Sequence, residues 1–379
     1  MNFEFNETQL MIRDTARKFA EEKLAPSCDE RDEKELFPYE AVKEMGELGF
    51  MGMMVPEQYG GAGLDTISYV LAMEEISKVD ASAGVIMSVN NSLVCWGIQT
   101  FGTEEQREKF LPDLASGRKL GAFALSEPEA GSDATNQRTT ATRDGSAYII
   151  NGTKNFITNG SNADIVLVMA ATDRSKGAKG VSAFIVEKDT PGFSVAKKEK
   201  KLGIRSSDTV SLAFQDCRVP ASNRIGEEGS GMKFALKTLD GGRIGIASQA
   251  LGIAQACLEA SVKYSKERKA FDVPISNLQA IQFKLADMAT NVDAARLLTL
   301  NAALIKDREG HYGPAAAMAK LFASKVAVES ALEAIQIHGG YGFIREYKVE
   351  RYLRDAKITE IYEGTSEIQR VVIARSLLQ

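Results

Sequence analysis

One acidic residue near the C-terminus stands in a setting suited to base chemistry: Glu363 lies between Tyr362 and Gly364 in the run I-T-E-I-Y-E-G-T-S-E-I-Q. An apolar aromatic neighbour desolvates a carboxylate and raises its pKa toward that of a working base, and glycine lets the backbone approach a ligand closely. Local chemistry leaves a second reading open, an ordinary acidic residue at a helix start. Upstream, Gln336 to Asp355 reads Q-I-H-G-G-Y-G-F-I-R-E-Y-K-V-E-R-Y-L-R-D. Its glycines Gly339, Gly340 and Gly342 expose backbone N–H groups of the kind that hold pyrophosphate, and would equally cap a helix and begin a turn. A third signature joins G-A-F-A-L-S-E-P-E-A-G-S-D, from Gly121 to Asp133, with N-G-T-K-N-F-I-T-N-G, from Asn151 to Gly160. There Phe123 and Phe156 suit the faces of a flat heteroaromatic ring and Ser126 and Thr158 its polar edge. The plainer reading of both segments is two strands ending in turns.

Together these segments resemble the acyl-CoA dehydrogenase family, in which I-Y-E-G-T follows R-D-A-K at this distance and Q-x-x-G-G-x-G precedes both; Glu346, Arg351 and Asp355 also match in spacing. The likeness runs over nearly the whole chain. It implies that Glu363 is the catalytic base and that FAD is bound by Phe123, Leu125, Ser126, Ser132, Phe156, Ile157 and Thr158, with Thr158 against flavin N5. It implies further FAD contacts at Gln336, Gly339, Gly340, Thr365 and Glu367. Arg268, Phe271 and Gln279 are implied to reach the adenosine and pyrophosphate of a neighbouring subunit's FAD, which makes a homotetramer the expected assembly. Leu239, Asp240 and Arg243, with Ser132, Tyr362 and Gly364, are implied to hold the acyl-CoA, Arg243 being the natural cation.

Three positions depart from the family pattern or vary within it. Asn136 stands where Gly, Ser or Ala is usual. Asp272 follows Phe271 where the family has glycine, and is expected to change the turn. Gly242 occupies the place where some members carry an alternative glutamate, which leaves Glu363 without an obvious substitute.

The reaction the resemblance implies is removal of the α-proton by Glu363 and passage of the β-hydride to flavin N5, giving a trans-2-enoyl-CoA, with electrons leaving to an electron-transfer flavoprotein. The segments L-D-G-G-R-I-G-I-A-S-Q, F-K-L-A-D-M and I-T-E-I-Y-E-G-T look most like the short-chain, butyryl-CoA branch of fatty acid metabolism. Branched or cyclic short acyl groups stay open. Ile86 to Trp96 is expected to line the pocket floor, with Trp96 either shortening the cavity or packing a helix. Two rival functions are an acyl-CoA oxidase, disfavoured because such enzymes are usually longer, and a helical binding protein without the chemistry.

Composition bounds the rest. The chain has 379 residues, 44% of them hydrophobic, enough for two or three domains, and a formal net charge of −5 with no long basic run argues against nucleic-acid binding. The longest apolar stretches are read at Leu48 to Pro56 and Ile165 to Ala171, too short to span a membrane, and the N-terminus lacks a signal pattern, so a soluble cytoplasmic protein is expected. Cys28, Cys95, Cys217 and Cys257 are scattered without C-x-x-C spacing, and with only His311 and His338 present no metal centre is expected. Gly61-Ala62-Gly63 and Gly226 to Lys233 fall short of the nucleotide fingerprints, so FAD is not expected in a Rossmann unit.

The elements that must position these residues follow from periodicity. A helix is expected from an N-cap at Asn6 to Pro26, with further helices to about Gly117. Runs such as Ile165 to Met169 and Val181 to Val186, punctuated by Asp144-Gly145 and Pro191-Gly192, read as strands. Beyond Gly231, Leu278, Ile281, Leu285, Met288 and Val292 step along one helix face, and Leu239 to Arg243 is expected to open the longest helix. The expected class is α+β: a helical domain over 1–118, a middle β-barrel or sandwich domain over 119–223, and a C-terminal four-helix bundle over 224–379.

Overall fold

The structure, a computed structural model, describes residues 4–308 and 310–378. Helix α1 (Glu7–Phe19) starts at the expected cap: the Gln9 N–H donates to Asn6 Oδ1 at 2.8 Å and the Asn6 N–H to Gln9 Oε1 at 3.0 Å. This reciprocal box satisfies two of the N–H groups that a helix start leaves unpaired. The helix continues as a π-helical turn, Ala20–Leu24, before Pro26. Then come α2 (Cys28–Lys34), α3 (Tyr39–Glu47), α4 (Thr66–Val79), α5 (Ala81–Ser88), a π-helical segment Val89–Cys95, α6 (Trp96–Phe101) and α7 (Glu104–Ala115).

The stretch Ala81–Phe101 is long and apolar enough to cross a membrane, but 94% of its 18-residue window is buried inside the fold. It exceeds the two apolar runs singled out from sequence, and two polar residues explain how it was overlooked. Asn90 and Asn91, both buried, interrupt the apolar run and tie it to its neighbours. Asn91 Nδ2 donates to the carbonyls of Phe50 (2.8 Å) and Met87 (3.0 Å), and Asn90 Nδ2 donates to those of Met51 (2.8 Å) and Leu114 (3.0 Å). Widening the helix to a π turn frees carbonyls, and a side-chain amide is one way to satisfy them.

The middle of the chain forms one eight-stranded sheet from β1 (Gly121–Ala124), β2 (Thr140–Asp144), β3 (Ala147–Thr158), β4 (Ile165–Ala171), β5 (Val181–Glu187), β6 (Phe193–Lys198), β7 (Thr209–Pro220) and β8 (Arg224–Ile225). Its order is β6-β7-β3-β2-β4-β5-β8, with β1 beside β4 in parallel. All seven residues of β4 are buried, which is why that run reads as continuously apolar, whereas β3 loses the pattern near its end, where it faces the site.

Three long helices, α8 (Gly231–Glu267), α9 (Gln279–Asp307) and α10 (Gly313–His338), and two short ones, α11 (Val349–Thr359) and α12 (Ser366–Leu378), make up the C-terminal part. Leu239 to Arg243 lies well inside α8 rather than at its opening, because the helix already begins at Gly231. The α9 stripe packs as expected, with Met288 and Val292 buried and Leu278, Ile281 and Leu285 against the core. Between α8 and α9 a hairpin of β9 (Lys269–Ala270) and β10 (Val273–Pro274) turns through Phe271 and Asp272, at φ 52° and 65°. Positive φ at both central residues is what a tight two-residue hairpin needs, and Asp tolerates it. The hairpin closes with Asp272 in place, and the less favourable residue at positive φ is the bulky Phe271.

Candidate active site

Glu363 sits in the turn between α11 and α12, three residues before α12 begins. Glu363 and Gly364 both take positive φ, 53° and 95°. A non-glycine residue held there costs about 1–3 kcal/mol and persists only where its surroundings enforce it. Here the enforcement is a clamp on the next carbonyl: Gly364 O accepts from Lys320 Nζ at 2.5 Å and from Gln369 Nε2 at 2.8 Å, and Gln369 also reaches Glu363 O at 3.3 Å. Among the described residues no acceptor pairs with the Glu363 N–H.

The Glu363 carboxyl points at the wall of α8. A Cβ on Gly242 would overlap Oε2, so the glycine leaves the space that the carboxyl fills. Oε2 is buried and has no hydrogen-bond partner. Burial pushes Glu363 up to about 7, opposed by the positive charges of Lys320 and Arg243. Arg243 is buried and donates to Asp240 Oδ1 at 2.6 Å, while its Nε is unpartnered. Burial in turn pulls Lys320 down to about 8, with Glu363 pulling it back. The adjacent Tyr362 hydroxyl bonds Gln249 Oε1, whose amide donates to Ala81 O at 2.7 Å.

The carboxyl belongs to a cleft of about 650 Å³, within the range typical of small-molecule and cofactor sites. It gathers Phe123, Phe156, Ile157 and Thr158 from the sheet, Leu125, Ser126 and Ser132 from the loop after β1, Leu239 and Arg243 from α8, and Tyr362, Glu363, Gly364 and Thr365 from the turn. Val85, Val89 and Leu93 supply an apolar wall at a four-residue spacing on the α5 helix and its π continuation. Trp96 is not part of that wall; it packs edge-on against Phe101 at 5.9 Å, while Ser88 bonds the Tyr69 hydroxyl at 3.1 Å. Of the two roles weighed for Trp96, helix packing is the one observed. Asp355, buried and pushed up to about 7 by that burial, accepts from the Ile204 N–H at 2.5 Å and so ties the Gly203–Ile204 edge of the cleft to α11.

A separate cavity of about 430 Å³ holds Arg268, Gly339 and Gly340 with Tyr264, His338 and Tyr341. Nothing lies within 4 Å of where a Cβ would project from Gly339 or Gly340, so this backbone is open to a ligand. His338 stacks on Tyr264 at 4.1 Å behind it. Phe271 (88% exposed), Gln279, Gln336, Glu367 and Asp240 line neither cavity. The residues present fit FAD in two pieces. A cleft with two aromatic rings and two hydroxyls suits the flavin ring, and an arginine beside bare glycine backbone suits a pyrophosphate.

Sequence reasoning missed the residues that hold the flavin-side loop. Lys154, four residues before Thr158 on β3, is wholly buried and donates to Glu127 Oε1 (2.6 Å), Gln137 Oε1 (2.5 Å) and Leu125 O (3.1 Å). Glu127 accepts in addition from the N–H groups of Arg138 (2.6 Å) and Thr139 (3.1 Å). One buried ion pair thus fixes both ends of the loop carrying Ser126 and Ser132. Asn136, the departure noted above, is exposed on that loop. Lys320 was overlooked as well, although a lysine inside A-A-A-M-A-K-L-F-A is a visible anomaly.

Three family profiles match the chain: "Acyl-CoA dehydrogenase, N-terminal domain" over residues 6–118, the middle domain over 122–217 and the C-terminal domain over 229–378. The mitochondrial short-chain specific acyl-CoA dehydrogenase of Mus musculus is 54% identical over 376 residues, covering 99% of this chain and 91% of that one. Butyryl-CoA dehydrogenase from Megasphaera elsdenii superposes with a TM-score of 0.99 at 50% identity, covering 100% of both chains. A chain of the structure described as the electron transferring flavoprotein of Acidaminococcus fermentans does so with 0.99 at 53%, again over 100% of both. A prolyl acyl carrier protein oxidase also matches, at 36% identity and a TM-score of 0.96, over 99% of this chain and 100% of its own. That oxidase shares this chain's length, whereas the expectation from 379 residues concerned acyl-CoA oxidases.

Replacing Lys154 by Met would leave Glu127 buried without its cation. Breaking a buried pair from one side costs roughly 3–5 kcal/mol, so K154M is expected to lose stability on that scale in chemical denaturation. An unchanged midpoint would show that the pair does not hold the loop.

Proposed function

The chain belongs to the acyl-CoA dehydrogenase family, and on that premise we propose that it oxidises a short-chain acyl-CoA with Glu363 as the base. The enzyme is an FAD-dependent acyl-CoA dehydrogenase. The observation that carries the assignment of the base is the half-buried Glu363, whose inner oxygen Oε2 is buried and unpaired and which a strained turn holds at the cleft.

A thioester α-C–H is a weak acid, so its removal needs a placed base of matched pKa and stabilisation of the charge that grows on the carbonyl oxygen. Glu363, raised to about 7, meets the first need. Its own N–H, free of a protein acceptor, meets part of the second. FAD, when bound, supplies the acceptor for the β-hydride. Phe123, Phe156, Ser126 and Thr158 would hold its ring, and the apolar wall of Val85, Val89 and Leu93 keeps water from the acyl chain. Arg243, steadied by Asp240 and lining the cleft, is the proposed cation for the CoA part of the substrate. Because a base must be unprotonated, the rate of flavin bleaching is expected to rise from pH 6 to pH 8 around a midpoint near 7. E363Q should keep FAD and lose about 10²-fold or more of that rate. Bleaching by E363Q at nearly the parent rate would place the base elsewhere.

A preference for about four carbons is supported by the two short-chain relatives. Each methylene that fits or fails is worth about 1–3 kcal/mol, so kcat/KM should separate butyryl-CoA clearly from octanoyl-CoA. Isobutyryl- and cyclohexanecarboxyl-CoA belong in the same panel, and an octanoyl-CoA optimum would overturn the short-chain reading. An electron-transfer flavoprotein is the proposed electron acceptor, by analogy with the Acidaminococcus structure. Oxygen uptake matching the turnover rate would make the enzyme an oxidase instead. Four free, buried cysteines accord with a cytoplasmic setting.

Arg268, Gly339 and Gly340 lie apart from the Glu363 cleft, which supports an FAD site shared between subunits and hence a homo-oligomer, proposed to be a tetramer. R268A is expected to release FAD more readily, as read from the free flavin after gel filtration. A fully active, FAD-saturated monomer by light scattering would rule the shared site out.

A further inference from the structure

Lys320 is a buried charge that the chemistry above does not use. It lies on α10 among Ala316, Ala317, Ala319, Ala323 and Ser324, all buried, and is itself wholly inside. No carboxylate stands within ion-pair distance of it among the described residues, and its one hydrogen bond goes to Gly364 O. A buried ammonium without a carboxylate partner is costly, and methionine would fill the same space without the cost. The packing alone gives no reason for a charge here.

We propose that Lys320 is a positioning residue for the catalytic turn: its ammonium anchors the Gly364 carbonyl, holds Glu363 in the left-handed conformation that aims its carboxyl at the cleft, and supplies the positive field in which that carboxyl ionises. The proposal rests on Glu363 being the base. A charge-assisted hydrogen bond is stronger than a neutral one, which makes Lys320 the principal member of the clamp and Gln369 the auxiliary.

The groups around Glu363 leave Lys320 a distinct part. From α8, Arg243 also faces the carboxyl, but Asp240 engages it. Tyr312, at the start of α10, lies beside Arg243, and Tyr69 of α4 and Tyr362 of the turn feel the Glu363 charge as neutral phenols. Glu360 and Glu367 act on Lys320 more weakly than Glu363 does. Removing Lys320 therefore takes away the unengaged cation and leaves burial to dominate. The Glu363 pKa then rises, and the anionic fraction at pH 7 falls.

The test uses FAD-loaded K320M, K320Q and Q369L. Infrared difference titration of the resting enzymes follows the Glu363 carboxyl band, identified by its loss in E363Q. Stopped-flow bleaching by butyryl-CoA gives the rate and its substrate dependence. K320M is expected to move the titration midpoint upward by about one pH unit or more. Its bleaching rate at pH 7 should fall about ten-fold or more, with KM changed far less, because a misaimed base loses the transition state rather than the ground state. Raising the pH should restore only the part of that loss due to protonation. K320Q, neutral but still a donor, should share the shifted midpoint with a smaller rate loss, and Q369L should lose rate at an unshifted midpoint. Parent-like midpoint and rate in K320M, or in K320Q should K320M fail to hold FAD, would reduce Lys320 to a packing residue. Bleaching that survives in E363Q is a different failure, of the base assignment itself.

Discussion

The site is organised by the cost of taking one carboxyl out of water. An isolated anion in a low-dielectric interior is unstable by many kcal/mol and in practice becomes protonated instead, which would abolish a base. Glu363 escapes both extremes because Lys320 and Arg243 return part of what burial removes, leaving it near 7. Neither cation closes on it as a salt bridge, so the carboxyl is charged for part of the time yet free to accept a proton. Gly242 completes the arrangement by giving up its side-chain volume to the carboxyl tip.

Everything larger serves to bring these groups together from distant parts of the chain. Helix α8 carries Gly242 and Arg243 between the N-terminal helices and α10, and at Gly245 it passes so close that a Cβ would overlap Ser88 and Tyr69. The buried amides of Asn90 and Asn91 lock the apolar wall against the loop at 50–53 and against β1, where the Gly121 N–H donates to Asn90 Oδ1 at 2.9 Å. The sheet contributes from the other side, with Thr158 at the end of β3 and the Ser126 loop fixed to the same strand through Lys154.

How much of this was legible depends on whether the information is local. Glu363, Thr158 and the glycines at 339 and 340 stand out because each lies in a short run that matches the family pattern; local chemistry alone left an ordinary helix start, strand end or cap open beside the site reading. The N-cap at Asn6 and the α9 stripe were readable for the same reason, since capping and periodicity act over one or two turns. What failed was everything set by contacts between distant segments. The start of α8 came out eight residues late because Leu239 to Arg243 looks like a beginning, although Gly231 already begins the helix. The wall of Val85, Val89 and Leu93 is chemically indistinguishable from any buried helix face, and the conspicuous Trp96 drew the eye to the wrong side.

The two fully buried lysines show how structure separates roles that sequence cannot. Both are pulled down to about 8 by burial, and both lie one short step from the cleft. Lys154 has a carboxylate at 2.6 Å and two further acceptors, and its charge is used up in holding a loop. Lys320 has a single carbonyl, and its field is left over. A leftover positive field inside a protein is unstable unless something negative shares it. The nearest candidate is a carboxyl that is itself short of partners, so each group accounts for the burial of the other. That mutual dependence ties the strained turn, the glycine on α8 and the lysine on α10 into one electrostatic unit at the edge of the cleft.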